Sequence, residues 1–215
     1  MTSHTLRSIA LLASAFLYGT VAHGSTIYNE AVSGDLSGIF SAPTLLTVSF
    51  GANDVLGSTG KSATTGVIDR DYFTFTVAPG LELTGITVLP GTQTLGPLGD
   101  SFIGVESGTT LVNPSTAVDA TGLLGWDHYG TNDIGVNILP AMGISSMNSI
   151  GFTGPLPPGT YSFWVQEASV GSVNYGLEFT VAPEPASWTM LLTGMAALAG
   201  TARRAARSGL FRRAS

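Results

Sequence analysis

Asp69 and Asp71 stand two residues apart at the mouth of an apolar run, and Asp54, Asp100, Asp119, Asp127 and Asp133 fall in segments rich in Gly, Ser and Asn. Hard oxygen ligands carried on such segments suit Ca2+, which takes six to eight of them with flexible geometry. If these acidic residues hold a cofactor it is calcium, with Asp69 and Asp71 as the ligand pair. Neither an EF-hand loop nor a calcium-binding nonapeptide repeat accompanies them, so solvated carboxylates at strand ends remain the alternative.

A second chemistry-bearing stretch is Trp126-Asp127-His128-Tyr129-Gly130. Read as a loop, it offers the aromatic faces of Trp126 and Tyr129 to a pyranose ring and the Asp127 carboxylate to sugar hydroxyls. The plainer alternative packs Trp126 and Tyr129 on the domain and leaves His128 in water. Catalysis has less to work with. His128 is the only histidine left once a leader is removed, and cysteine is absent, which excludes thiol catalysis, disulfides and thiolate zinc sites. A Ser-His-Asp set has no Gly-x-Ser-x-Gly elbow to present it. The chain reads as no enzyme, although a secreted hydrolase built on two facing carboxylates stays open as a third function.

The elements that must position these residues are strands. Phe73, Phe75 and Val77 alternate with Thr74 and Thr76, a period of two that turns one face to a core. Leu83, Ile86 and Val88 follow in a second run over 81–89, and Phe102 to Val105 in a third. Strands are also expected over Ile134 to Leu139 and Ile150 to Phe152. Tyr161, Phe163 and Val165, then Tyr175, Leu177, Phe179 and Val181, predict an antiparallel pair joined through Gly171-Ser172 at the edge of a sandwich. The 28 Gly and the 10% charged residues agree with many short strands and tight turns.

Two address segments flank this body in the chain of 215 residues. Residues 1–24 read as a secretory signal peptide: Arg7, the apolar run Ile9 to Leu17, and the small-x-small site Ala22-His23-Gly24. At the other end, Ala186 to Ala202 holds 17 residues without a charge. As a helix it would be roughly 26 Å long, the short end of a membrane span. Five Arg follow it, which places the C-terminus in the cytoplasm and the bulk of the chain outside. The formal charge of −6 conceals this split: residues 25–182 contain 13 acidic residues against Lys61 and Arg70, leaving about −11. So anionic a body repels nucleic acid and favours cations.

The tail resembles a PEP-CTERM sorting signal, carried by Pro183-Glu184-Pro185, the apolar stretch Ser187 to Gly200, and Arg203, Arg204 and Arg207. The resemblance implies recognition by an exosortase, a membrane-embedded cysteine peptidase that removes the helix and releases the ectodomain outward. A plain anchor that stays attached fits the same topology. The chain departs from the family by running on through Leu210-Phe211-Arg212-Arg213. The body, over about Gly66 to Val181, is similar to the bacterial pre-peptidase C-terminal domain, through Asp69-Arg70-Asp71-Tyr72-Phe73 and Pro158-Gly159-Thr160-Tyr161 with Tyr175-Gly176-Leu177. That likeness implies a small jelly-roll-like β-sandwich, an accessory module without catalytic residues.

The expected organisation is thus a cleaved signal peptide (1–24), an all-β, jelly-roll-like antiparallel sandwich (25–182), a sorting signal (183–207) with a single transmembrane helix over about 186–202, and a basic cytoplasmic tail (208–215). Its expected partners are signal peptidase and the general secretion machinery, an exosortase, the membrane in transit, and exopolysaccharide, with no nucleic acid. The destination is the cell surface or extracellular matrix, through an inner-membrane intermediate. The expected role is non-catalytic and structural, with a carbohydrate- or calcium-binding module as the alternative.

Overall fold

The computed structural model describes residues 24–95, 100–111 and 120–185. Residues 1–23 of the expected signal peptide, the apolar stretch 186–202, the Arg cluster, the basic tail and Asp119 lie outside them. Among the described residues no helix is long and apolar enough to cross a membrane.

The fold is all-β and mostly antiparallel. Its strands are β1 (Ser25–Asn29), β2 (Thr44–Leu45), β3 (Gly51–Lys61), β4 (Ile68–Val77), β5 (Leu81–Val88), β6 (Asp100–Ser107), β7 (Gly125–Gly130), β8 (Gly159–Gln166) and β9 (Gly171–Pro183). They hydrogen-bond in the order β5-β9-β3-β4-β8-β6-β7, while β1 joins β3 and β2 joins β4 in parallel. Between β3 and β4 only Gly60↔Asp69 and Lys61↔Ile68 are paired, so the path turns a corner there. The two halves then face each other as a sandwich.

Aromatic rings close the interior. Phe179 on β9 stands edge-on to Phe73, Phe75 and Phe163 of the opposite layer, at centroid distances of 5.6, 5.3 and 5.0 Å. Phe163 in turn stacks on Phe73 and Phe75 at 5.4 and 4.9 Å. Edge-to-face and offset contacts at this range suit the ring quadrupoles. The alternation in β4, β8 and β9 is what aims these side chains inward.

The expected strands over 71–77, 81–89 and 102–105 are present. Leu83, Ile86 and Val88 are all fully buried although their spacing breaks period two. The register of β5 against β9 shifts between Leu83 and Gly85, and that bulge restores the inward face. Asn137 fills the gap: its Oδ1 accepts from the Ile86 amide at 2.9 Å and its Nδ2 donates to the Thr84 carbonyl at 3.2 Å.

Three expectations need correction. β8 and β9 do not pair: β8 lies between β4 and β6, and β9 between β3 and β5, so each is central in its own layer. Residues 134–139 form no continuous strand: they pair with β5 only at the isolated bridges Val88↔Ile134 and Thr87↔Asn137, and a short helix α2 (Leu139–Met142) then buries Leu139 and Met142 over the core. Residues 150–152 run irregularly, with the Ile150 and Gly151 amides bonded to the Leu123 and Leu124 carbonyls.

Strand β3 is unexpected, since Gly, Asn and Asp are depleted in strands. Its continuous register with β9, Gly51↔Val181 through Gly60↔Ser172, stabilises it instead. Gly60 is required by close approach: a Cβ there would run into the Gly171 carbonyl oxygen, a backbone atom next to the paired Ser172. Gly60→Ala is expected to cost about 1–3 kcal/mol by forcing β3 and β9 apart; a chemical-denaturation midpoint equal to wild type would refute that reading.

Candidate functional site

At the end of the sandwich where β3 turns into β4, three carboxylates converge. Glu30 opens the short helix α1 (Glu30–Ser33), whose N-cap Asn29 accepts the Ala31 amide at 3.0 Å. The chain then folds back through Gly34, at φ 90°, where the Tyr28 hydroxyl donates to the Gly34 carbonyl at 3.0 Å. This hook brings Asp35 over Glu30. Asp71 points inward from β4, on the same face as Phe73 and Phe75. One oxygen from each of Glu30, Asp35 and Asp71 lies within 4.8 Å of the other two.

The three are held differently. Glu30 is fixed: Oε1 accepts from the Leu36 amide at 2.9 Å, and Oε2 accepts from the Ser58 amide at 2.7 Å and the Ser58 hydroxyl at 3.3 Å. Asp35 is exposed at the rim. Asp71 is fully buried, and neither of its oxygens has a hydrogen-bond partner; the buried Tyr175 hydroxyl beside it has none either. Burial first, then the Glu30 carboxylate, pushes the Asp71 carboxyl up to about 9, with Asp69 and Asp35 adding to the shift and the nearby Tyr175 hydroxyl offsetting part of it. Glu30 is also raised, chiefly by burial, against its backbone donors. Lys61 and Arg70 are the only Lys or Arg among the described residues, and Arg70 donates through Nε to Gln166 at 2.9 Å.

Of the expected pair, Asp71 thus belongs to this cluster. Asp69 sits two residues earlier on the same face, raised by partial burial and then by Asp35 and Glu30, but outside the three converging oxygens. Glu30, Asp35 and Tyr175 were not legible as site residues: they come from segments far apart in sequence, and only the pairing of β3 with β1 and β9 joins them. The other acids lie apart. Asp133 accepts the Gly130 amide at 2.7 Å, and Asp54 couples to Glu178 across the β3–β9 ladder.

The Trp126 to Gly130 stretch is strand β7, not a loop, and the alternation of a strand separates its residues. Tyr129 is fully buried in the core, where no sugar reaches it. Asp127 accepts the adjacent His128 amide at 2.9 Å. Trp126 lies on the outer face, its ring 6.0 Å from Phe102 and 5.4 Å from His128, with Nε1 donating to the Ser146 carbonyl at 3.2 Å. Phe102 continues this ridge to Trp164 at 4.6 Å. Trp126, Asp127 and Tyr129 therefore do not converge on one ligand.

The Pro183-Glu184-Pro185 segment begins inside the fold. Pro183 is the last residue of β9 and pairs with Leu81, and the Glu184 amide donates to the Gly80 carbonyl at 3.0 Å. Pro185 is exposed; Arg203, Arg204 and Arg207 lie outside the described residues. Comparisons of the chain with family models, with curated proteins and with solved structures each returned no match.

Proposed function

We propose that the chain is a non-catalytic protein of the cell envelope or extracellular matrix, exported by its leader and sorted by an exosortase acting on the tail that starts at Pro183. The observation that supports this reading is the seam between fold and tail. The central strand β9 ends at Pro183, and the Glu184 amide still bonds to the sandwich at the Gly80 carbonyl. A cut after about Pro185 leaves every strand ladder of the described residues intact. The jelly-roll-like connectivity of an accessory module belongs to the same reading. The anionic body, at about −11 over residues 25–182, keeps clear of nucleic acid and of anionic lipid once released, and leaves exopolysaccharide as its surroundings.

Intact mass spectrometry of the protein recovered from medium and membrane fractions tests the reading. The expected mature form lacks the leader and the residues after about Pro185, and Pro183→Ala with Pro185→Ala shifts the protein to an uncut, membrane-bound form. A medium-borne protein that retains its mass through Ser215 sinks the proposal.

A further inference from the structure

We propose that Glu30, Asp35 and Asp71 bind one calcium ion at the β3–β4 end of the sandwich. Three observations carry this. The first is convergence: one oxygen from each carboxylate lies within 4.8 Å of the others, the separation that Ca–O bonds of about 2.4 Å allow around one centre. The second is the state of Asp71. Both oxygens of this fully buried carboxyl are unpartnered, and once it ionises the neutral, unpartnered Tyr175 hydroxyl beside it cannot balance the charge, one of the costliest arrangements a protein interior holds. The described Lys and Arg do not balance it either, since Lys61 lines a different cleft and Arg70 is directed at Gln166. A cation is the partner this geometry lacks.

The third observation is preorganisation with access. Three donors from Leu36 and Ser58 lock the Glu30 carboxylate in place, and an ionised carboxylate has about four lone-pair directions, so capacity for a metal is left over. A surface cleft of about 540 Å³ is lined by Glu30, Asp35, Gly57, Ser58, Asn174 and Tyr175, so two of the three carboxylates and the tyrosine beside the third reach solvent. Asp35 stands at its exposed rim, placed to close over an arriving ion.

The donor set selects the ion. All ligands are hard oxygens with no His or Cys among them, which disfavours zinc and copper. One ligand on a short helix, one on the following hook and one on a strand impose no octahedron, and Mg2+ demands one whereas Ca2+ does not. Gly57 is part of the design: a Cβ there would lie 2.5 Å from the Tyr175 hydroxyl, so only glycine lets that ring stand beside Asp71. Bound calcium would clamp β1, α1 and the hook onto β4, tying the first residues of the body to its core.

The test uses the full chain in detergent, stripped with chelator and titrated with calcium, followed by thermal melting and by tyrosine-sensitised terbium emission with calcium competition. The expected melting temperature rises by about 5–10 °C when calcium exceeds Kd a hundredfold. Asp35→Asn, at an exposed position, is expected to weaken calcium binding at least ~10-fold, from one lost charged ligand. Asp71→Asn removes the thermal shift, while Asp69→Asn retains it. A wild-type melt unmoved between chelator and millimolar calcium overturns the proposal. So does a calcium response unchanged in both Asp35→Asn and Asp71→Asn, or an equal response to magnesium.

Discussion

Phe179→Ala is expected to lower stability by about 3–5 kcal/mol, the range for removing a buried aromatic ring whose cavity cannot collapse. Phe179 is fully buried on β9 and touches Phe73, Phe75 and Phe163 across the layers. Within the opposite layer Phe163 stacks on both Phe73 and Phe75, and β4 and β8 hold them in continuous register from Arg70↔Gln166 to Val77↔Gly159. Neither layer can move in to fill the space without breaking its ladder. Without cysteine, no disulfide limits the unfolded chain, so the loss falls on a total of about 5–15 kcal/mol typical of a domain. The melting temperature should fall by on the order of 10 °C. Phe179→Leu, which keeps most of the volume, should recover more than half of that; equal losses in the two variants would show that the aromatic contacts, rather than filled volume, set the cost.

Raising the pH of the metal-free protein is expected to destabilise it. Unfolded, Asp71 ionises near its ordinary value of 3.8; folded, it keeps its proton up to about 9, because of burial and the Glu30 carboxylate. Between those limits the unfolded state binds fewer protons than the folded state, so stability falls with pH at up to about 1.4 kcal/mol per unit. The contribution is intact below about pH 4 and gone once the pH passes the folded value. The groups facing Asp71 act in the same direction: Glu30 from α1, Asp35 from the hook and Asp69 from β4 add negative charge, and Tyr28, Tyr129 and Tyr175 stay neutral because burial raises each hydroxyl. Thermal melts in chelator at a series of pH values from about 5 to 8 should show a falling midpoint, flattened in Asp71→Asn. An equally steep fall in Asp71→Asn would assign the pH dependence elsewhere.

Much of the fold was legible because alternation reports directly which face of a strand is buried. Phe73, Phe75, Val77, Phe163, Leu177 and Phe179 are all core residues, as their spacing implied. Alternation says nothing about neighbours, however. β8 and β9 carry the same inward pattern whether they pair with each other or face each other across the core, and the structure takes the second option. β3 was hidden because its Gly, Asn and Asp residues speak against a strand, and only the partner ladders override them. β7 was hidden because Trp126-Asp127-His128-Tyr129 alternates an outward aromatic with a buried one, which reads equally well as a polar loop.

The site was half legible for a related reason. Asp71 stood out through its place at the head of an apolar run. Glu30 and Asp35 carry no local pattern, and their meaning arises from the hook at Gly34 that lays them over β4. A carboxylate at strand spacing was visible in the sequence, but the absence of a donor for it is a property of the folded interior alone.

Strand β9 also determines how the molecule bears a load. It is held along ten residues by β3 and along seven by β5 and ends at Pro183. Tension applied along β9 through Pro183 loads both ladders in shear, so that many hydrogen bonds must yield together instead of unzipping one at a time. A domain tethered by this end would resist being pulled from its surroundings along its strongest direction.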